Sequence, residues 1–175
     1  MRTENHRIRR VCAAACTAPL LVLGGAGSAI AVPAAAGVAP PSVTRAVQQS
    51  SASEILALVN AERAKANCEP LTEEPRLMRA AQAHADDMAA NGLTAHTGSD
   101  GSTDLIRMER AGYSPAGPSS ENVSGPGHTS SKSHVDGWMA STRGHKEAIL
   151  NCQYKETGIG TNGEYAVQLF AVQSR

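Results

Sequence analysis

The chain has 175 residues, with 16 Lys+Arg balanced by 16 Asp+Glu. Its length is enough for one domain with additional segments. Removal of residues 1–31 as a signal peptide would take away four arginines and one glutamate and leave a net charge of −3. No basic patch then remains of the kind that nucleic-acid binding requires, so we expect no nucleic-acid partner.

Residues 1–31 have the three-part pattern of a secretory signal peptide: a basic head, an apolar run over residues 11–32, and small residues before Ala31. A transmembrane anchor is the alternative. Three features disfavour the anchor: the run is rich in Ala and Gly, it contains Pro19, and no cluster of charges follows it. A lipoprotein signal at Cys16 is disfavoured because most of the apolar core follows that cysteine. We therefore expect cleavage near Ala31 and a secreted, extracellular protein without a membrane span.

Residues 32–52 are rich in Ala, Pro, Ser and Gln and show no helical or strand period, which predicts a flexible linker. The folded domain is then expected at residues 53–175. Cys12 and Cys16 leave with the signal peptide, so Cys68 and Cys152 remain. An even pair in an exported chain favours one disulfide, and two buried free thiols are the alternative.

Apolar residues at helical spacing predict a series of helices after the linker. The first follows a capping box at residues 51–54, ends near Asn67, and has Arg63 off its apolar face. The second begins at Pro75 and ends before Gly92. Its apolar stripe includes His84, a position where a hydrogen-bonded core histidine is more common than a ligand. Further helices are predicted in segments 104–111, 134–141 and 145–151.

The end of the chain predicts two strands instead. Asn162-Gly163 is a strong hairpin signal, and apolar residues alternate after it. Helices followed by an antiparallel sheet indicate an α+β fold.

Three chemically useful side chains lie near Gly or Ser breaks, at predicted loops or helix ends. His96 lies in a polar loop, and His145 follows Gly144. Glu121 interrupts a long Pro/Gly/Ser segment, residues 114–133; a segment of this length is usually functional or disordered, and Glu121 could also begin a short strand.

Successive members of this trio are 25 and 24 residues apart. Two imidazoles and one carboxylate suit Zn²⁺ or a similar divalent ion, completed by water. The same groups could position a water by general acid–base catalysis. Three unrelated side chains are the remaining alternative, since spacing alone does not bring them together. The usual hydrolase, metalloprotease and nucleotide-binding motifs are absent from the sequence.

Taken together, these motifs resemble the CAP superfamily of cysteine-rich secretory proteins, antigen 5 and pathogenesis-related proteins, in its short bacterial branch. The resemblance covers nearly all of residues 53–172. It is carried by the segments ILALVNAERAKANCEPLTEEPRLMRAAQAHADDMAANG, LTAHTGSDGST, RMERAGY, SEN, DGWMASTRGHKEAILN, YKETGIG and YAVQLFA.

The resemblance implies a three-layer α-β-α sandwich with a small antiparallel sheet and a central cleft. Family members often carry a His/Glu/Glu/His tetrad there, whose histidines can hold a divalent metal. His96, Glu121 and His145 match three of its positions, and Ser141 stands where the second glutamate would be. The resemblance therefore implies at most a weak two-histidine site, with Glu121 as a ligand or as a partner of one. It also supports a bond between Cys68 and Cys152.

Family activities are diverse, so the fold does not determine the function. We expect a secreted, non-enzymatic and monomeric binding module, with no catalytic residue assigned. Its ligand would be a small molecule, lipid, peptide or cell-wall component. A metal-assisted or His/Glu-assisted peptidase is the alternative, and a structural protein of the cell envelope is a third hypothesis.

Overall fold

Helices cover both faces of a four-stranded sheet in the computed structural model, which describes residues 42–172. The expected signal peptide and residues 32–41 of the expected linker lie outside the described residues. The helices are α1 (Ser42–Lys65), α2 (Pro75–Asn91), α3 (Asp104–Arg110), α4 (Ser131–Met139) and α5 (His145–Ile149). The strands are β1 (Thr72–Glu73), β2 (Ser119–Ser124), β3 (Glu156–Asn162) and β4 (Tyr165–Ala171).

The sheet has the order β1-β3-β4-β2, and only the short edge strand β1 runs parallel to its neighbour. Alternate residues of β4 enter two separate cores. Val167 and Leu169 pack with α2 and α3, whereas Ala166 and Phe170 pack with α1, α4 and α5. This arrangement confirms the expected α+β, three-layer α-β-α fold. The hairpin is also confirmed, although its turn residues are Gly163 and Glu164, because Asn162 still pairs with Tyr165.

The first helix begins eleven residues earlier than the sequence pattern indicates. The prediction of a flexible linker is therefore wrong for residues 42–52, which are helical. Tertiary contacts hold this extension: Ala52 is buried, and Thr161 Oγ1 donates a hydrogen bond to Gln48 O at 3.2 Å. The predicted capping box is also wrong, because its two residues, Ser51 and Glu54, lie in the interior of α1.

Two glycines let α2 lie directly on β3. A Cβ atom on Gly158 would stand 2.0 Å from the carbonyl carbon of Leu77, and one on Gly160 would stand 2.3 Å from Gln82 N. Because both obstacles are backbone atoms, a side chain at either position would push the helix off the sheet. Helix α2 also begins and ends as predicted, with Pro75 in its first turn and Gly92 in the left-handed conformation after it.

The end of α1 is fixed to the segment that follows α5. Cys68 and Cys152 form a disulfide, as predicted. Beside it, Arg63 is fully buried and donates hydrogen bonds to the backbone carbonyls of Ile149 and Tyr154, among others. The expectation that Arg63 lies away from the buried face of α1 is therefore wrong. Its guanidinium supplies hydrogen-bond donors to carbonyls at and beyond the end of α5.

Candidate functional site

A cavity of about 770 Å³ lies between the loop that carries His96, the end of β2, and the segment joining α4 to α5. His96 and His145 both line it, and their ring centroids are 6.4 Å apart with ring planes at 55°. Ser141 lines the same cavity. The structure thus places these two histidines, which are remote in the chain, in one cleft.

Glu121 does not line the cavity itself but orients His96, which does. Its Oε1 lies 3.0 Å from His96 Nδ1, and its Oε2 accepts a 2.6 Å hydrogen bond from Arg107. The same Arg107 nitrogen donates to the backbone carbonyl of His96 at 3.0 Å. The Glu121 side chain is only 2 % exposed, so this carboxylate is buried with both oxygens engaged.

The charge state of His96 follows from this arrangement. Its hydrogen bond to Glu121 raises the pKa of His96 above the ordinary value, and burial opposes that rise. Since Nδ1 is occupied by Glu121, Nε2 is the ring nitrogen left for a ligand. A carboxylate behind a histidine fixes the ring and increases its basicity, as in many metal sites.

His145 is placed by a break between α4 and α5. Gly144 has a φ of 96°, a conformation that favours glycine, and His145 begins α5 directly after it. The backbone carbonyl of His145 accepts a hydrogen bond from Asn122, the neighbour of Glu121 on β2. Burial lowers the pKa of His145, and the charges of His96 and Arg143 lower it further. At neutral pH this imidazole is therefore an uncharged donor or ligand.

Ser141 brings a hydroxyl rather than a carboxylate to the wall of the cavity. Its hydroxyl accepts a hydrogen bond from the backbone N–H of Arg143 at 3.0 Å and so shapes the turn before α5. Arg143 lines the cavity beside it.

Ser124, which lines the cavity, pairs with a histidine that does not, His134. Ser124 Oγ is 2.6 Å from His134 Nδ1, and both residues are buried. The His134 ring contacts two other rings, those of His128 at a centroid distance of 5.3 Å and Trp138 at 6.2 Å. Burial, and secondarily the charge of His128, lowers the pKa of His134 to about 4.

Few of the side chains around the cavity could ligate a metal ion. Within residues 42–172, no three His, Cys, Asp or Glu residues are arranged to hold a metal ion. The two imidazoles are tilted relative to each other, with ring planes at 55°, and the nearby carboxylate of Glu121 is fully engaged by His96 and Arg107. The residues present thus offer two ligands, and water would have to supply the others.

Sequence reasoning missed Arg107, Ser124 and His134. Arg107 lies in the RMERAGY segment, but a buried arginine cannot be told from a solvated one by helical spacing. Ser124 and His134 are separated by a Pro/Gly-rich loop, and no motif links them. The interpretation of His84 is confirmed: it is buried in the core, with Nε2 2.9 Å from Ala95 O.

In the part of the chain that the structure covers, none of the helices is both long and apolar enough to span a bilayer.

Solved structures with low sequence identity share this fold. An extracellular protein containing an SCP domain from Bacillus anthracis str. Ames is 23 % identical, with a TM-score of 0.71 over 79 % of this chain and 45 % of its own. An outer surface protein from Borrelia burgdorferi is 22 % identical, with a TM-score of 0.60 over 69 % of this chain and 91 % of its own.

A curated protein is similar to this chain in sequence. The chain is 28 % identical over 124 residues to the uncharacterized membrane protein YlbC of Bacillus subtilis (strain 168), a match that spans 71 % of this chain and 35 % of YlbC. The chain thus corresponds to about a third of that relative's length. Residues 56–174 match the model of the Cysteine-rich secretory protein family, CAP. This chain therefore belongs to that family.

Proposed function

We propose that this CAP domain is an extracellular, non-enzymatic binding module, and that its ligand occupies the cleft between His96 and His145. The observation that carries the proposal is the 770 Å³ cavity, whose volume suits a small molecule or the end of a chain-like ligand. Candidate ligands are a lipid, a peptide or a fragment of the cell wall. Secretion of the chain belongs to the same proposal, and the extracellular SCP-domain protein with the same fold supports it.

The chemistry of the cleft supports binding better than hydrolysis. A hydrolase needs a base that can take a proton from water or from a nucleophile. Both oxygens of Glu121 are already engaged, by His96 and Arg107. Ser124 does have a histidine partner, but a pKa of about 4 makes His134 a poor base at neutral pH. The peptidase alternative would therefore have to use the imidazole of His145, which is uncharged at neutral pH, as its proton acceptor.

A divalent metal would be held by His96 and His145 if it is part of this function. His96 would use Nε2, with Glu121 orienting its ring through Nδ1. A bound Zn²⁺ would supply a Lewis acid or a fixed positive charge for recognition of the ligand.

Thermal unfolding with a ligand panel tests the proposal. Muramyl dipeptide, a lysophospholipid and a short alanine-rich peptide are the probes. A probe present at 100 times its Kd should stabilise the protein by about 2.7 kcal/mol, seen as a rise in Tm. Ser141→Phe would fill the cleft and should abolish the rise, whereas Ser114→Phe, on an exposed loop, should leave it unchanged. An equal rise in both variants would place the ligand elsewhere.

Zinc calorimetry tests the metal separately. We expect a weak binding heat for the purified protein and none for His96→Ala. Equal heats in the two proteins would remove the metal from the proposal. Cleavage of the peptide probe that survives in His96→Ala and His145→Ala would, in turn, argue against any role of these histidines in hydrolysis.

A further inference from the structure

The wall of the cleft carries basic and hydroxyl side chains but no acidic ones among the residues that line it in the described part of the chain. The basic residues are His96, His128, Arg143 and His145, and the hydroxyl residues are Thr94, Ser124, Ser141 and Thr142. Of these, only Arg143 is permanently charged at physiological pH. This composition contrasts with the chain as a whole, which is electrically balanced and turns acidic once residues 1–31 are removed.

Three carboxylates act on the histidines of the cleft, but none of them lines the cavity. Asp104, at the start of α3, raises the pKa of His96 from outside the lining. Glu121 lies behind His96 and is neutralised by Arg107. Glu147, on α5, is close enough to raise the pKa of His145 but does not line the cavity. Across residues 42–172, the Arg143 side chain is exposed and makes no hydrogen bond or ion pair. Its guanidinium is thus available at the mouth of the cleft.

We infer that the cleft recognises an oxyanion group of its ligand, a carboxylate or a phosphate, and that Arg143 is the main residue that binds it. This inference rests on the proposed binding function of the cleft. A guanidinium presents paired N–H donors that match two oxygens of a carboxylate or phosphate. The hydroxyls of Ser141 and Thr142 lie in the same wall and can donate to a further oxygen.

The charge of Arg143 also predicts how well anionic, neutral and cationic ligands should bind in the cleft. Arg143 repels a cationic group and gives a neutral one no charge-assisted bond. A divalent ion at His96 and His145 faces the same repulsion, so an anion bound beside it would favour the ion. Anionic ligands are therefore the class that the cleft should select, and concave walls strengthen the effect by focusing the field.

The test uses NMR titration of the metal-free protein with four small probes at constant ionic strength. Inorganic phosphate and acetate carry the two oxyanions, while ethanol and methylammonium are the neutral and cationic comparisons. We expect saturable shifts of the backbone amides of Ser141, Thr142 and Gly125 with the two anions only. The ratio of the two anion affinities identifies the preferred group.

Two charge-matched variants then test the role of Arg143. Arg143→Gln should weaken anion binding about tenfold, the effect of losing one charge-assisted hydrogen-bonding partner. Lys146→Gln removes the same charge from an exposed position on α5 that does not line the cavity, and should change the affinity less than about twofold. Unchanged circular dichroism melts would show that both variants fold.

Three outcomes would overturn the inference: no shift of the cleft amides with either anion, equal shifts with ethanol or methylammonium, or equal weakening by the two variants. In the second case the cleft still binds ligands, so the proposed function would survive while its anion preference failed. The lipid, peptide and cell-wall probes could instead fail to raise the Tm while the two anions still shift the cleft amides. That result would count against those three ligand classes alone.

Discussion

Arg107 Nη2 and Glu121 Oε2 form a 2.6 Å ion pair between side chains that are 6 % and 2 % exposed. This buried pair joins α3 to β2 and holds the loop of His96 through the backbone carbonyl of that residue. Because charges buried in this way need their partners, the pair connects the stability of the fold to the geometry of the cleft.

Substitution of Arg107 should destabilise the protein strongly. Arg107→Met leaves the Glu121 carboxylate buried without its guanidinium, and we expect the free energy of unfolding to fall by about 3–5 kcal/mol in urea denaturation. The double variant with Glu121→Gln should recover part of the loss. Arg110→Met is the control, since the Arg110–Asp100 pair is exposed and solvent screens it, so its loss should change the stability little. Equal losses in the two single variants would contradict this account.

The pKa of His96 should depend on Glu121. Glu121→Gln removes the charge that raises it, so the pKa should move down toward the ordinary value of about 6.5. An NMR titration of the His96 Cε1 proton measures this shift. Since the folded-state pKa is raised, the stability that this contact contributes is present below about pH 6.5 and is lost as the pH rises through the folded value. An unchanged pKa in the variant would show that Glu121 does not set the charge of His96.

Acidification should destabilise the fold through His134. Its pKa of about 4 in the folded state lies below the unfolded value of about 6.5, so the unfolded chain binds more protons between these values. Stability should therefore fall as the pH drops through this window, by up to about 3 kcal/mol from this group. Burial of His84 and His145 acts in the same direction. His134→Gln keeps a polar side chain near Ser124 and should show a shallower fall in urea denaturation. Protonation of His134 above about pH 6 by NMR would exclude the effect.

Loss of the disulfide should lower the thermal stability. The bond between Cys68 and Cys152 closes a loop with a sequence separation of 84, for which chain entropy predicts about 4–5 kcal/mol. We expect the double variant Cys68→Ser/Cys152→Ser to melt about 10–15 °C lower in calorimetry. Addition of a reductant should lower the Tm of the unmodified protein and leave that of the double variant unchanged. Equal Tm values with and without reductant for the unmodified protein would contradict the prediction.

A methyl group at Gly158 should disrupt the contact between α2 and β3. Gly158→Ala brings a Cβ atom against backbone atoms that cannot move independently, so we expect a loss of about 3 kcal/mol or more. Gly117→Ala is the matched control, because its Cβ atom would lie 3.7 Å from Val172, an ordinary contact. Urea denaturation of the two variants should separate them clearly. Similar stabilities would show that the helix adjusts its distance from the sheet.

The sequence by itself determined the local features of this protein. Pro75 and Gly92 marked the ends of α2, and Asn162-Gly163 placed the hairpin within one residue of its turn. These predictions were possible because caps and turns depend on the φ/ψ preferences of a few neighbouring residues. Residue types near Gly and Ser breaks indicated His96, Glu121 and His145 as candidates, and the family resemblance then matched them to three positions of one site.

Tertiary structure decided what lies far apart in the chain. The helical state of residues 42–52 depends on contacts with β3 and α4, which no local pattern records. Arg63 and Arg107 are buried because backbone carbonyls and Glu121 surround them only after folding. The 6.4 Å approach of His96 and His145, and the position of Arg143 beside them, likewise arise when loops from separate elements close one cavity. The sequence determines which side chains carry charges and hydrogen-bonding groups. Tertiary packing determines which partners those groups find.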